Sequence, residues 1–531
     1  MLAFSHHEEL QLLGLLLAVG VLLSLAPTLR IPYPILLVLG GLALGFVPGL
    51  PDLTLAPELV LVAILPPLLY YAAFSTSLRD LRANTRPIAL LSIGLVIVTT
   101  VAVAVVGHYA IEGLPWSSAF VLGAVVSPTD PIAATSMAHR LGVPRRLIAI
   151  IEGESLVNDA SALVLYKFAV TAVVTGSFSI WNGGFRFVVN VAGGLAIGLA
   201  VGYAVRQVRK RLDYPPGEIT LALLTGYFAY LPADAAGLSA VIAAVTAGVY
   251  VGWHTPELTT VETRLQGNAF WEILAFLLNS FLFVLVGLQL PHILDALSGR
   301  SARALLGDAV LVSGTVIAIR MLWVYPATYV PRWLFPSIQR RDPAPPWQAP
   351  AFISWTGMRG AVSLAAALAI PLTTDSGAPF PGRDLIVFLA FNVILATLVL
   401  QGLSIPFVVR VLGLEDDGLG QKEEVKARIY AAEAAIDRLD ELGHEDWVNP
   451  ETAQRLRGLY TFRRSRFAAR FDSTDDGSLD VQSANYQRLR RELLDAERRA
   501  VVALRSEGRI SDEVMRAVEH DLDLEDSRLE I

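Results

Sequence analysis

Apolar runs of about twenty residues recur between residues 10 and 410 of this 531-residue chain, and they limit its fold more than any other feature. A helix rises about 1.5 Å per residue, so each run matches one crossing of roughly 30 Å of hydrocarbon. No water reaches that layer, and the backbone must bond within its own segment, which selects helices. Charged residues make up 17% of the chain, against about 25% in soluble domains. The deficit lies in this region, so the chain reads as an all-α polytopic protein, multi-pass in the cell membrane.

The runs predict thirteen spans: 9–27, 33–49, 58–77, 87–107, 117–137, 147–176, 184–207, 216–233, 237–253, 268–290, 304–330, 351–371 and 384–410. One alternating set of connections carries Arg30, Arg79, Arg82, Arg86, Arg140, Arg145, Arg146, Arg209, Lys210, Arg211, Arg264, Arg332, Arg340, Arg341 and Arg410. The other set carries Arg300, Arg303 and Arg383. Basic connections stay cytoplasmic, which puts the N-terminus outside and the C-terminus inside. Met1 to Glu9 has no Lys or Arg, the wrong flank for a secretory signal, so the first run reads as a retained helix. With span seven as a linker, spans 1–6 and 8–13 enter from opposite sides, the parity of two inverted six-helix repeats.

The chain therefore divides into a transmembrane domain, 1–413, and a charged tail, 414–531. The net charge of -7 comes largely from that tail, and no basic tract suits nucleic acid. Lys422–Leu442 and Gln487–Arg505 have the pattern of amphipathic helices, with breaks expected at Asn449-Pro450 and Ser473–Gly477. This predicts a cytoplasmic helical domain, a stability or dimer-contact module ahead of a regulatory one. There is no cysteine, which excludes disulfides, thiolate metal sites and cysteine nucleophiles.

A charge at the bilayer centre costs at least ~2.5–3.5 kcal/mol, so each one needs a reason. Span five holds Ser127-Pro128-Thr129-Asp130-Pro131, span six Glu152 to Asp159, span eleven Arg320, and span twelve Gly357-Met358-Arg359-Gly360. The two prolines predict an unwound stretch at Thr129–Asp130, and the two glycines a second break around Arg359. Spans five and twelve are equivalent in the two halves, and matched broken helices point to a midplane site. Asp130 would neutralise exposed helix N-termini and Arg359 exposed C-termini.

On span six, Glu152, Ser155 and Asp159 share one face, and Glu154 and Asn158 the next. Asp159 is the deepest acid. No His or Cys accompanies it, so a transition-metal site is not expected. A hard cation takes oxygen ligands, and Asp159, Ser155 and Thr129 would supply them to Na+. Desolvation favours the neutral form of a carboxyl group, so a buried acid can hold either a proton or a cation. Competition for one carboxylate couples the two fluxes with no cofactor. Arg320 needs a partner, for which Glu154 is the first choice and Glu152 the alternative. A cation channel is the competing class. An intramembrane enzyme ranks third, because no nucleophile motif or catalytic residue is visible.

At these residues the chain resembles the cation/proton antiporter-1 family, the sodium/proton exchangers. The matching pieces are Leu65-Pro66-Pro67-Leu68-Leu69, Ser127–Pro131, Glu152–Asp159, Arg320 and Gly357–Val362, in family order. The resemblance implies a thirteen-helix inverted-repeat fold in the bilayer, a homodimer, and elevator-like movement of a six-helix core. It implies Na+ and H+ as substrates, Asp159 as the ion- and proton-binding acid, and Ser155 and Thr129 as cation ligands. Asn158 and Asp130 would support the unwound helices, and Glu154 and Arg320 would form the family's ion pair. The Asn158-Asp159 pair is similar to the electroneutral branch. One departure is Tyr70-Tyr71-Ala72-Ala73, which lacks the acid some prokaryotic members carry after Leu-Pro-Pro.

Overall fold

Prolines mark where many of the membrane helices begin. Pro34, Pro66 and Pro215 sit in the first turns of their helices, and Pro115 and Pro144 immediately precede two others. A missing N–H is harmless there because those donors have no helical partner anyway. The computed structural model describes residues 14, 17, 19–24, 28, 31–47, 59–176, 180–297, 299–416, 418–469 and 478–527. Met1 to Glu9 and the Ser473–Gly477 break lie outside the described residues. The chain divides into two compact units, Met1–Glu415 and Asp416–Ile531.

The first unit is helical nearly throughout. Its main elements are α1 Tyr33–Gly45, α2 Leu65–Ser75, α3 Thr85–Ala110, α4 Trp116–Val126, α5 Ile132–Arg140 and α6 Arg145–Thr175. There follow α7 Ile180–Arg209, α8 Pro215–Ala235, α9 Ala240–Leu258 and α10 Val261–Leu288. The last are α11 Ala302–Leu334, α12 Gln348–Trp355, α13 Ala361–Leu368 and α14 Arg383–Leu412. Among the described residues, six helices are individually long and apolar enough to cross a membrane. The pieces α4, α5, α12 and α13 are too short to cross alone, because the predicted spans five and twelve are each interrupted.

Two helix groups emerge from the packing. Helices α1, α2, α7, α8, α9 and α10 pack on one another and form a frame. Helices α3 to α6 pack with α11 to α14 and form a core. Small residues let helices approach where lipid offers no hydrophobic drive. A Cβ at Gly41 of α1 or Gly287 of α10 would overlap the opposite backbone. Gly194 and Gly198 put the same close backbone contact between α7 and the start of α9, and Gly202 faces the Tyr250 side chain, while Leu195 and Leu199 of α7 point outward and are exposed. An outward apolar face is what a bilayer covers.

Arg209 ends α7 where the basic connection of Lys210 and Arg211 begins, and it is 4% exposed. Its guanidinium pairs with Glu218 at 3.3 Å and donates to Thr255 and Thr259, so it joins α7 to α8 and α9. The second unit contains α15 Leu419–Leu442, α16 Pro450–Ala469, α17 Ser478–Ser506 and α18 Asp512–Ser527. Asn449 caps α16 by accepting from the backbone of Glu451 and Thr452.

Candidate ion-binding site

Two interrupted helices cross inside the core. The first is open between Val126 and Ile132, where Pro128 and Pro131 withhold backbone donors. The second is open between Trp355 and Ala361. The breaks touch directly: the Asp130 amide donates to the Met358 carbonyl at 2.8 Å. A Cβ on Gly360 would collide with the Asp130 carboxylate, so only glycine permits this crossing.

Each break exposes helix ends, and the buried charges meet them. The Asp130 carboxylate accepts from the Ile132 amide at 2.9 Å, at the start of α5. It also lies against Gly360, at the start of α13. A carboxylate suits the partial positive charge at both N-termini. The Arg359 Nε donates to the Val126 carbonyl at 3.1 Å, at the end of α4. The Arg359 side chain also reaches the Gly357 carbonyl, and its amide donates to Thr397 Oγ1 at 3.1 Å.

Arg320 of α11 serves the other C-terminus. It donates to the Ile353 carbonyl at 3.1 and 3.0 Å, at the end of α12. Its remaining donors grip Glu154 of α6 in a two-point pair, with one contact at 2.8 Å. Both side chains are buried, with 0% and 1% exposure. Glu152 takes no part in this pair and faces His139 at 3.8 Å.

Thr129 joins the pair to the first break. Its hydroxyl donates to Glu154 at 3.1 Å and accepts from the Asn158 amide at 2.7 Å. The Ser155 hydroxyl donates to the Thr129 carbonyl at 2.9 Å. After these bonds, the Thr129 carbonyl and both hydroxyls each keep a lone pair. The Asn158 Oδ1 is a buried acceptor with no protein partner among the described residues.

Asp159 differs from every acid above. Among the described residues, no hydrogen bond or ion pair engages its carboxylate. It lines a cavity of about 500 Å³ between the core and the frame. Thr129, Asp130 and Ser155 share its wall, and Tyr71 and Asn279 line the facing side. Glu152 lines it as well, so the cavity holds carboxylates, hydroxyls and a carbonyl, the donor set of a hard cation. No group of three or more His, Cys, Asp and Glu suited to a metal occurs among the described residues.

The sequence reading missed three participants. The Arg320 contact to the α12 end had no local signal, because it joins residues 33 apart. Thr397 sits in an apolar run with nothing to single it out. Asn279 was visible as an amide inside the apolar stretch Leu277–Phe283, and its depth was the clue.

Comparison with known proteins adds the family. The model of the family "Sodium/hydrogen exchanger, transmembrane" matches residues 14–411. An uncharacterised Na+/H+ exchanger of Mycobacterium tuberculosis is 39% identical over 525 residues, covering 98% of this chain and 95% of the relative. A Na+/H+ antiporter of Aphanothece halophytica is 32% identical, covering 87% of this chain and 84% of that one. A sodium, potassium, lithium and rubidium/H+ antiporter of Bacillus pumilus is 35% identical, covering 71% of this chain and 58% of that one. The solved structure of the sodium proton antiporter from Methanocaldococcus jannaschii shares the fold, with TM-score 0.59 at 19% identity, covering 77% of this chain and all of that one. The chain therefore belongs to the sodium/hydrogen exchanger family, and it is a multi-pass membrane transporter that exchanges Na+ for H+, not an enzyme.

Proposed function

We propose that Asp159 carries the exchanged ions, one Na+ or one H+ at a time. The observation behind this reading is the contrast in partners: Glu154 is satisfied by Arg320 and Thr129, while Asp159 faces the cavity without a protein partner. Ser155 and the Thr129 carbonyl complete the Na+ ligands, and Asn158 positions Thr129. Asp130, Arg359 and Arg320 compensate the helix ends that the two breaks expose. Because Asn158 is neutral, only one carboxylate of that adjacent pair can exchange a proton, and the cycle is electroneutral. No cofactor enters this chemistry.

Alternating access follows from where the cavity lies. It sits between two helix groups that pack mainly within themselves, so the core can slide on the frame and carry the site with it. Thirteen spans in two inverted six-helix repeats, an external N-terminus and a cytoplasmic helical domain after residue 413 complete the reading. A homodimer joined through the frame fits the same division. Li+ and K+ remain within the cation class, because they use the same oxygen ligands. The Tyr71 and Asn279 wall offers no carboxylate, so the cavity's acids, Asp130, Glu152 and Asp159, all come from the core side, and Asp159 is the one among them that we assign to the cation.

Proteoliposomes test the proposal. Na+-driven proton movement should be insensitive to an imposed membrane potential and absent in Asp159→Asn. A steep potential dependence would overturn the one-for-one exchange, and near-normal exchange in the variant would overturn the carrier role.

A further inference from the structure

The C-terminal unit contains a second cavity, of about 950 Å³, that the exchange chemistry does not use. Helix α16 lines it with Arg455, Arg463 and Arg466, spaced by eight and three residues and so set along one stripe. Arg428, which is paired with Glu424 of its own helix, reaches in from α15, and Arg490 from α17. Among the described lining residues Glu525 is the one carboxylate, and it is paired with Arg490. Arg455 and Arg463 have no carboxylate partner among the described residues.

This concentration of positive charge runs against the composition of the unit, in which acids outnumber Lys and Arg. Arg455 and Arg463, which lack a carboxylate partner among the described residues, add unneutralised charge to this concave space, and an anion bound between them would offset it. Arginine forks match phosphate oxygens with paired hydrogen bonds. The lining also carries aromatic rings. Arg463 lies over Tyr460 at 5.5 Å, and Tyr486 is on the α17 face that holds Arg490. Flat rings and flat guanidinium groups stack well on a planar heterocycle. The volume falls within the roughly 300–1,000 Å³ of small-molecule sites.

We propose that this cavity binds a nucleotide, with its phosphates on Arg455 and Arg463 and its base against Tyr486. The cavity and its chemistry are independent of the ion site.

Isothermal titration calorimetry on the purified full-length protein tests the site with ATP, ADP, AMP, tripolyphosphate and adenosine. The expected result is saturable one-to-one binding of a nucleotide, tighter than tripolyphosphate or adenosine. Arg463→Glu should weaken it by about tenfold or more, and Tyr486→Leu by several-fold, with exchange in nucleotide-free vesicles unchanged. If Arg463→Glu lowers helix content by circular dichroism, Arg455→Gln and Arg463→Lys provide the same comparison without reversing charge. Absence of saturable binding up to about 1 mM of each nucleotide would overturn the proposal. So would tripolyphosphate binding as tightly as nucleotides, or affinity unaltered in the folded variants.

Discussion

Glu154 and Asp159 lie five residues apart on one helix, and their surroundings could hardly differ more. Glu154 is 1% exposed and held by a two-point guanidinium pair and a threonine hydroxyl. Asp159 lines a cavity and has no protein partner among the described residues. A satisfied buried carboxylate is fixed, because any departure strands its partner in a low-dielectric interior. An unsatisfied one can accept a proton or a cation. On our proposal the same chemical group is a structural tie at one position and an exchange site five residues further on.

Four substitutions can break or sharpen that contrast. The largest effect is expected for Asp159→Asn, which should abolish Na+-driven proton movement while the purified protein keeps its thermal stability. A marked stability loss with residual exchange would reverse the two roles. Glu154→Gln comes next, because it leaves Arg320 buried without its counter-charge. Breaking such a pair destabilises by about 3–5 kcal/mol, to be read as a lowered unfolding temperature or lost expression. Unchanged stability with an altered ion preference would move Glu154 into the ligand set.

Ser155→Ala should be milder. It removes the bond to the Thr129 carbonyl and the oxygen we propose as a cation ligand. The half-saturating Na+ concentration should rise about tenfold, equivalent to ~1.4 kcal/mol, with a smaller change in maximal rate. An equal fall in rate at saturating Na+ would assign Ser155 to the transport movement instead.

The smallest effect concerns Asp342, outside the spans and far from the contrast in partners. Arg86, Arg146 and Arg332 converge on it at 2.6, 2.7 and 2.7 Å. Partial burial pushes its carboxyl up, but Arg146, with Arg332 and Arg86, outweighs this and holds it below the ordinary value of 3.8. A depressed carboxyl contributes stability above that ordinary value and loses it as pH falls through the folded value. Asp342→Asn should therefore lower stability by about 1–2 kcal/mol near pH 7. The gap to the parent protein should close in strong acid, and a gap that persists there would attribute the loss to packing.

Much of the core was legible because membrane burial makes polar residues conspicuous. Pro128 and Pro131 announced one break, and Gly357 and Gly360 the other, through the backbone donors they withhold or the conformations they permit. Spacing put Ser155 and Asp159 on one helical face. Less could be read where partners are remote. Arg320 carried the signature of a charge needing compensation, yet its grip on the end of α12 depends on how α11 packs. Arg209 is a second case: it sits beside Lys210 and Arg211 in a basic run, and only helix packing shows that its side chain turns inside against Glu218.

By itself the sequence determined that the chain crosses a membrane and which residues had to be buried at a polar site. Hydrocarbon admits only internally bonded backbone, and it penalises every unpaired charge, so both facts are written in local composition. The tertiary structure decided how those charges are shared. It brought the two breaks into contact, gave Arg320 to Glu154, and left Asp159 facing the cavity. Partnership between residues 166 apart is a property of packing, which no single stretch of sequence carries.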